Sequence, residues 1–478
     1  MPGGKTYICS PLDSIWPPVI QTWILGFPCD SSRKTAVFNA LRAGLAKTIE
    51  QKPFFAGRLA VNNGRLQLTY RGLDKTPVPL SLNDLTDRPS VWRPSFEQLR
   101  QEGMPVRHLS PRVLEPAGYD MLSSAPVMAQ ANFIPGGCLL TICYNHGFGD
   151  GPPQVSLIQS WADNCRKMSD QGVDILASSP AAMISENSTE ADSDTLKLPS
   201  PLSEEEISSD SKREEAIKND PVLWQMLGLQ KPVAGITQGR PTRPPMHNRV
   251  TAVFVASDEA IARLKSSSEI LGSSDANSEI SSFDAEAALL WRCVMRARYD
   301  DLRLAGSVRS RLRIPVGLRK TLGISRDFPG NVFMNSLAEM PLDALVADTD
   351  GRQIAPMIRK AIYAARDADR ARDAIQLARR LPEPSSRRPF FSSTTGADLV
   401  LTTWREFPFY KQNWGRVLGS TEHMQFVRFP EGHRPGMCAM LPRRGDGEVE
   451  VLIDMERDQL RKLADDVEFK QYFKLRSA

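Results

Sequence analysis

Between Arg33 and Gln51 the apolar residues Val37, Leu41, Leu45 and Ile49 recur at every fourth position, with Phe38 widening the stripe, and this spacing predicts one amphipathic helix. The period then changes. Gly57–Val61 and Arg65–Tyr70 read as two strands, and the Asn62-Asn63-Gly64 between them supplies the positive φ of a tight hairpin. Cys138-Leu139-Leu140-Thr141-Ile142-Cys143-Tyr144 is apolar enough to be a buried strand, and a helix follows around Pro153 to Met168. From about 170 to 245 the chain turns rich in Ser, Glu, Asp and Pro, with only Val222–Leu229 strongly apolar, as in a crossover that is partly mobile.

Regular patterning returns with the strand Val250–Val255 and a helix from Asp258 that buries Ile261 and Leu264. Ser281-Ser282-Phe283-Asp284 resembles a capping box that opens a helix through Arg298, with Ala287, Leu290, Trp291 and Val294 on one face. Leu312–Val316 reads as a strand and Ile354–Leu381 as one long charged helix. Two strands, Cys438–Leu441 and Val449–Ile453, are joined by the turn Arg444-Gly445-Asp446-Gly447. Strands and helices are mixed throughout, with neither an internal repeat nor a coiled coil.

Composition adds bounds to this picture. A chain of 478 residues that is 41% apolar can build two cores. The expected organisation is an N-terminal domain over 1–169, a crossover over 170–245 and a C-terminal domain over 246–478. A net charge of +4, with no basic block, argues against a nucleic-acid partner. Seven cysteines without a CxxC pair fit a reduced, cytoplasmic setting, so the Asn187-Ser188-Thr189 sequon reads as a chance match. The start, Met1-Pro2-Gly3-Gly4-Lys5, lacks an apolar signal region, and no run reaches the roughly 18 apolar residues of a membrane span.

The chemistry concentrates in Tyr144-Asn145-His146-Gly147-Phe148-Gly149-Asp150-Gly151, where the predicted buried strand ends. Gly147, Gly149 and Gly151 would let the backbone take positive φ and let another molecule come close. Asp150 can fold back towards the imidazole or towards a neighbouring cation, so His146 is a candidate general base. The other histidines, His108, His247, His423 and His433, sit in polar or Pro-rich contexts that suit surface or structural roles. No HExxH, histidine cluster or cysteine quartet offers a metal site, and Gly147-x-Gly149-x-Gly151 is not followed by the Lys-Ser/Thr of a phosphate loop. There is no GxSxG elbow, Ser209-Asp210-Ser211-Lys212 lies in the polar crossover, and Cys143 stands at an odd offset from His146 that points it to the other face of the strand.

Several segments in order resemble the BAHD family of acyl-CoA-dependent acyltransferases, in particular its fungal branch of trichothecene 3-O-acetyltransferase type. His146-Gly147-Phe148-Gly149-Asp150-Gly151 matches the family's HxxxDG motif. Ser281-Ser282-Phe283-Asp284-Ala285 through Trp291-Arg292 to Arg296-Ala297-Arg298 is similar to a helix early in its second domain. Val316-Gly317-Leu318-Arg319 with Phe328-Pro329-Gly330-Asn331, and Thr402-Thr403-Trp404 with Tyr410-Lys411-Gln412-Asn413-Trp414-Gly415, match later motifs. Ser10-Pro11-Leu12-Asp13 and Leu441-Pro442-Arg443-Arg444 also fit, so the likeness covers nearly the whole chain. Two positions depart from it. Asn413 replaces the aspartate of DFGWG, whose second half is lost, and Gly317 replaces the acid of Val-Asp-x-Arg, which leaves the partner of Arg319 open.

The resemblance implies an α/β (α+β) fold of two similar chloramphenicol-acetyltransferase-like domains, each a mixed sheet flanked by helices, with a channel at their interface. It implies an O-acyltransferase, acetyl being the expected group, that moves the acyl group from acyl-CoA to a hydroxyl of a secondary metabolite such as a terpenoid, polyketide or alkaloid. CoA would be a co-substrate and no cofactor would be tightly bound. His146 would be the base, Asp150 an orienting residue paired with Arg319, and Trp404 either the oxyanion donor or a packed core residue. Asn413, Trp414 and Gly415 would hold the halves together in a monomer. The competing expectations are a condensation-type enzyme for carrier-bound substrates, against which Asn145 stands where such domains carry a second histidine, and a non-catalytic binding protein of the same fold.

Overall fold

In the computed structural model, the strand Gly137–Asn145 is buried along its whole length, which accounts for its unbroken apolar run. It lies at the centre of a five-stranded sheet, between Ile20–Pro28 and Val127–Ile134, both antiparallel to it. The described residues are 5–15, 19–70, 78–118, 125–170, 211–232, 248–268, 280–348, 351–381, 396–418, 425–432 and 436–478. The sheet is completed by Leu80–Asp84 and, on its other edge, by Phe426–Arg428 from late in the chain. Helices Lys34–Gln51 and Gly151–Asp170 pack together; the Trp161 indole donates to the Leu41 carbonyl at 2.8 Å. A three-stranded antiparallel sheet contains the predicted hairpin, Arg58–Asn62 and Arg65–Tyr70, whose turn has φ of 50° at Asn63 and 72° at Gly64.

A seven-stranded mixed sheet runs in the order Phe333–Pro341, Arg309–Gly317, Asp398–Thr403, Met437–Met440, Glu448–Glu456, Arg249–Ser257, Lys474–Ser477. Its central strands are buried on both faces. Val449, Val451 and Ile453 face a core built with helix Ser282–Leu304, whereas Leu452, Val253 and Ala439 join the core of the first sheet. The fold is thus two mixed sheets with helices, as the motifs implied, and the small three-stranded sheet besides. Asp398–Thr403 lies parallel to Arg309–Gly317 and to Met437–Met440, so Gly317, Thr403 and Met440 all lie at the same end of the sheet.

Three local expectations change. The predicted long helix is two, Ile354–Ala365 and Ala368–Arg380, because the Asp367 carboxylate accepts the Arg370 amide at 2.9 Å and caps a new start. The helix predicted to reach Arg298 continues to Leu304, and its capping box is formed by Ser281 and Asp284. Within the polar crossover, Ser211–Asn219 and Pro221–Met226 are helical, and Ile217, Leu223, Trp224 and Met226 enter the core of the second sheet. Residues 171–210 and 233–247, the sequon at Asn187, Ser209, His247, His423 and His433 lie outside the described residues.

Candidate active site

His146 follows the central strand directly, where its amide donates to the Val19 carbonyl at 2.8 Å. The next residues turn on the Asn145 side chain, whose Oδ1 accepts the Gly147 amide at 3.1 Å. Phe148 is buried against Tyr144 and Phe54 and anchors the loop from within. The imidazole is half-buried and stands edge-on to the Phe333 ring, with centroids 6.1 Å apart. Phe333 begins an edge strand of the second sheet, so the histidine of the first half looks onto the second.

The glycines around His146 serve a different end from the predicted one. None of Gly147, Gly149 and Gly151 takes a positive φ. A Cβ on Gly149 would collide with the Pro329 carbonyl oxygen, and one on Gly151 with the Phe407 ring. The loop is glycine-rich because two segments of the later chain press against it.

Asp150 turns to a cation rather than to the imidazole. Its Oδ2 accepts Arg319 Nη1 at 2.7 Å and the Val332 amide at 3.0 Å, and both side chains are buried. Arg319 Nη2 donates further to the carbonyls of Phe328 (3.1 Å) and Gly330 (2.7 Å). The partner left open by Gly317 is therefore Asp150, which ties the His146 loop to the second sheet.

A second clamp joins two segments that the sequence shows only as separate motifs, Ser10–Asp13 and Phe328–Asn331. Asp13 Oδ1 accepts both the backbone amide and the side-chain Nδ2 of Asn331, each at 2.7 Å. The same Nδ2 lies 3.0 Å from the His146 carbonyl and 3.3 Å from that of Gly147. The only local signal was an acid after a Ser-Pro; its partner is hundreds of residues away. Burial pushes the Asp13 carboxyl up to about 8, and the Asp150 charge adds to this, while the Asn331 and Ser10 N–H groups pull it down. With a folded pKa above the unfolded value near ~3.9, this group's contribution to stability is fully present below that value and is lost as pH rises through about 8. Asp13→Asn should flatten the pH dependence of the unfolding free energy between about pH 4 and the folded pKa of about 8. An unchanged slope in urea melts across that window would assign it to other groups.

Trp404 packs at 5.2 Å from Trp23 and 4.7 Å from Phe429, in the aromatic part of the first core. No acceptor for its indole N–H occurs among the described residues. Its neighbour Arg405 forms a bidentate buried ion pair with Glu286 (Nη1 to Oε1 2.7 Å), which fixes this segment to helix Ser282–Leu304. Trp414 is wedged, fully buried, between Phe27 and Trp161 of the first half. Asn413 Oδ1 accepts the Gly415 amide at 2.8 Å, and Gly415, at φ 81°, lies against Ser169 and Arg166, so in place of an ion pair Asn413 shapes a turn.

Cys143 is buried beside Ile20, its thiol accepts from Thr22 at 3.6 Å, and burial pushes its pKa well up, which removes it as a nucleophile. His108 lies 3.4 Å from Glu102, away from the loop. Cys293, Asp466 and Glu468 come within 4.8 Å of one another, but Arg296 holds Asp466 at 2.8 Å and Glu468 at 2.9 Å, which makes this an ion-pair cluster. A cleft of about 840 Å³ beside Lys474 and Arg476 lies at the sheet edge opposite Phe333 and contains none of these residues. No helix among the described residues is long and apolar enough to cross a membrane.

A family model described as the Transferase family matches residues 123–470, and one for a trichothecene 3-O-acetyltransferase-like N-terminal domain matches 22–165. The chain is 28% identical to the eremophilane O-acetyltransferase ORF8 of Penicillium roqueforti over 97% of both chains. It is 24% identical to the trichothecene 3-O-acetyltransferase TRI101 of Fusarium sporotrichioides, over 96% of this chain and 95% of that one. The crystal structure of F. graminearum TRI101 complexed with coenzyme A and deoxynivalenol has the same fold, with a TM-score of 0.77 at 20% identity over 99% of this chain and 100% of that one. With the Transferase model spanning most of its length, the chain belongs to the Transferase family and is a BAHD-type acyl-CoA-dependent acyltransferase.

Proposed function

We propose that the enzyme is an O-acetyltransferase that moves an acetyl group from acetyl-CoA to a hydroxyl of a terpenoid-like secondary metabolite, with His146 as general base. The observation that carries this reading is the division of labour in the loop. The carboxylate of Asp150 is spent on Arg319 and the Val332 amide, and Asn331 holds the His146 carbonyl, so the imidazole is presented at the junction of the two halves by a fixed backbone. The eremophilane and trichothecene relatives support a hydroxylated terpenoid acceptor, and the complexes with coenzyme A support the donor.

An alcohol is a weak nucleophile, and removing its proton as the C–O bond forms is worth typically about 10² to 10⁴ in rate. His146 takes the hydroxyl proton as the oxygen attacks the thioester carbonyl. The tetrahedral intermediate then expels the CoA sulfur, which recovers that proton from the imidazolium and leaves as the free thiol. No acyl-enzyme forms, and holding donor and acceptor together in one site supplies the entropic part of the acceleration. Seven free, buried cysteines, Cys143 among them, agree with this and with a cytoplasmic setting. The domains proposed are 1–169 and 246–478 with a crossover between them, working as a monomer.

The test is acceptor-dependent thiol release from acetyl-CoA by the purified chain, with a panel of hydroxylated terpenoids and polyketides, beside intact-mass spectra of the protein after acetyl-CoA alone. Release with no acetyl adduct is expected; an adduct that an acceptor discharges would overturn direct transfer, and no release from any acyl-CoA would overturn the reaction. The Trp404 indole N–H is proposed as the oxyanion donor. Trp404→Phe keeps a ring against Trp23 and Phe429 but removes the donor, so kcat should fall by roughly 10² with KM little changed. A loss below about threefold would leave Trp404 as packing alone.

A further inference from the structure

Gly317 is the last residue of the strand Arg309–Gly317 and the direct cross-strand partner of Phe333. Residues opposite each other in an antiparallel pair project from the same face, so the α-hydrogen positions of Gly317 and the ring of Phe333 share a side. That is the side on which the Phe333 ring stands edge-on to the His146 imidazole at 6.1 Å. A glycine in a strand weakens it and commonly marks a place where something else comes close. Here no backbone reason exists, since Gly317 does not take a positive φ. No packing reason exists among the described residues either, because a Cβ built on Gly317 would meet none of their atoms within 4 Å, and the residue is exposed.

The surroundings of this opening are fixed. Further along the same face, Pro315 pairs with Asn335, whose Nδ2 donates to the Met226 carbonyl at 3.0 Å, so helix Pro221–Met226 lies against that face. Just beyond Gly317, the Leu318 amide donates to the Val332 carbonyl at 2.9 Å, Arg319 is tied to Asp150, and Asn331 to Asp13. A side chain placed at 317 could not be carried away by a backbone shift without breaking these contacts.

We propose that the notch over Gly317, walled by Phe333 and opening on His146, receives the ring body of the acceptor, and that the missing side chain sets how bulky an alcohol the enzyme takes. The inference rests on His146 deprotonating the acceptor. Beside the base this face presents the Phe333 ring, and the Arg313 guanidinium further along it is turned to Asn335 Oδ1 at 2.6 Å, which suits an apolar fused-ring alcohol better than a polyamine.

The test compares cyclohexanol with a decalin alcohol, one ring against two fused rings, in the wild type, Gly317→Ala and Gly317→Val. The ratio of kcat/KM for the decalin alcohol over cyclohexanol should fall by roughly 10- to 200-fold in Gly317→Val, with Gly317→Ala between. An unchanged ratio, or equal losses on both alcohols, would overturn the proposal. Saturation-transfer NMR on the same proteins reads binding without turnover. The decalin alcohol should bind the wild type and be lost from Gly317→Val. Binding with that pattern but no thiol release would keep the notch and remove the acyl-transfer reading, whereas no binding to the wild type, or equal binding to Gly317→Val, would remove the notch.

Discussion

Replacing His146 with alanine should lower kcat/KM for acceptor-dependent thiol release by about 10³, within the range of general-base catalysis, while the chain still folds and still binds coenzyme A. The geometry separates the two outcomes. The backbone of His146 is held by its own amide to Val19 and by its carbonyl to Asn331, and the loop is anchored by Phe148, so none of these contacts needs the imidazole. The half-buried ring contributes an edge contact with Phe333, whose loss should cost stability on the order of 1 kcal/mol. Calorimetry with coenzyme A and a thermal melt, run beside the thiol assay, distinguish a missing base from a collapsed loop. Turnover within about tenfold of wild type would remove His146 from the chemistry, because a positioned base is worth more than that.

Much of this site could be read from local pattern, because local pattern is what forms a strand, a turn and a cap. The apolar run before His146 is the central strand, Asn63-Gly64 is the hairpin turn, and Ser281 with Asp284 is the capping box. What escaped depends on partners distant in sequence. The glycines of the His146 loop stand out in the sequence, but the positive φ expected of them is absent, and at Gly149 and Gly151 a Cβ is excluded by Pro329 and Phe407, which come from the far half of the chain. Asp13 and Asn331 meet across the fold for the same reason. Phe426–Arg428 is too short to show a period, and it joins the first sheet by pairing with Ile24–Gly26 while the buried Arg428 pairs with Glu450 of the second. The break at Asp367 lay hidden in a run of alternating charges, where a capping carboxylate looks like any other solvated acid.

Removing either partner of the Asp150–Arg319 pair should destabilise the enzyme by about 3–5 kcal/mol, and removing both should cost less than the sum of the two. Each side chain is at most 9% exposed, so the survivor of a single deletion is a charge held out of water without its counter-ion. The two deletions are not equivalent. In Asp150→Ala the guanidinium keeps the Phe328 and Gly330 carbonyls, whereas in Arg319→Ala the carboxylate keeps only the Val332 amide at 3.0 Å among the described residues. Arg319→Ala should therefore be the more destabilising of the two. A double-mutant cycle in urea, with coenzyme A absent, measures the coupling, and a value below about 0.5 kcal/mol would deny the pair a structural role. The same variants separate positioning from chemistry. If Asp150 acts by tying the loop to the second sheet, Asp150→Ala and Arg319→Ala should lose turnover together with stability. A fully stable Asp150→Ala that has lost turnover would instead place the carboxylate among the reacting groups, and that outcome would contradict its direction in the structure, towards Arg319 and the Val332 amide.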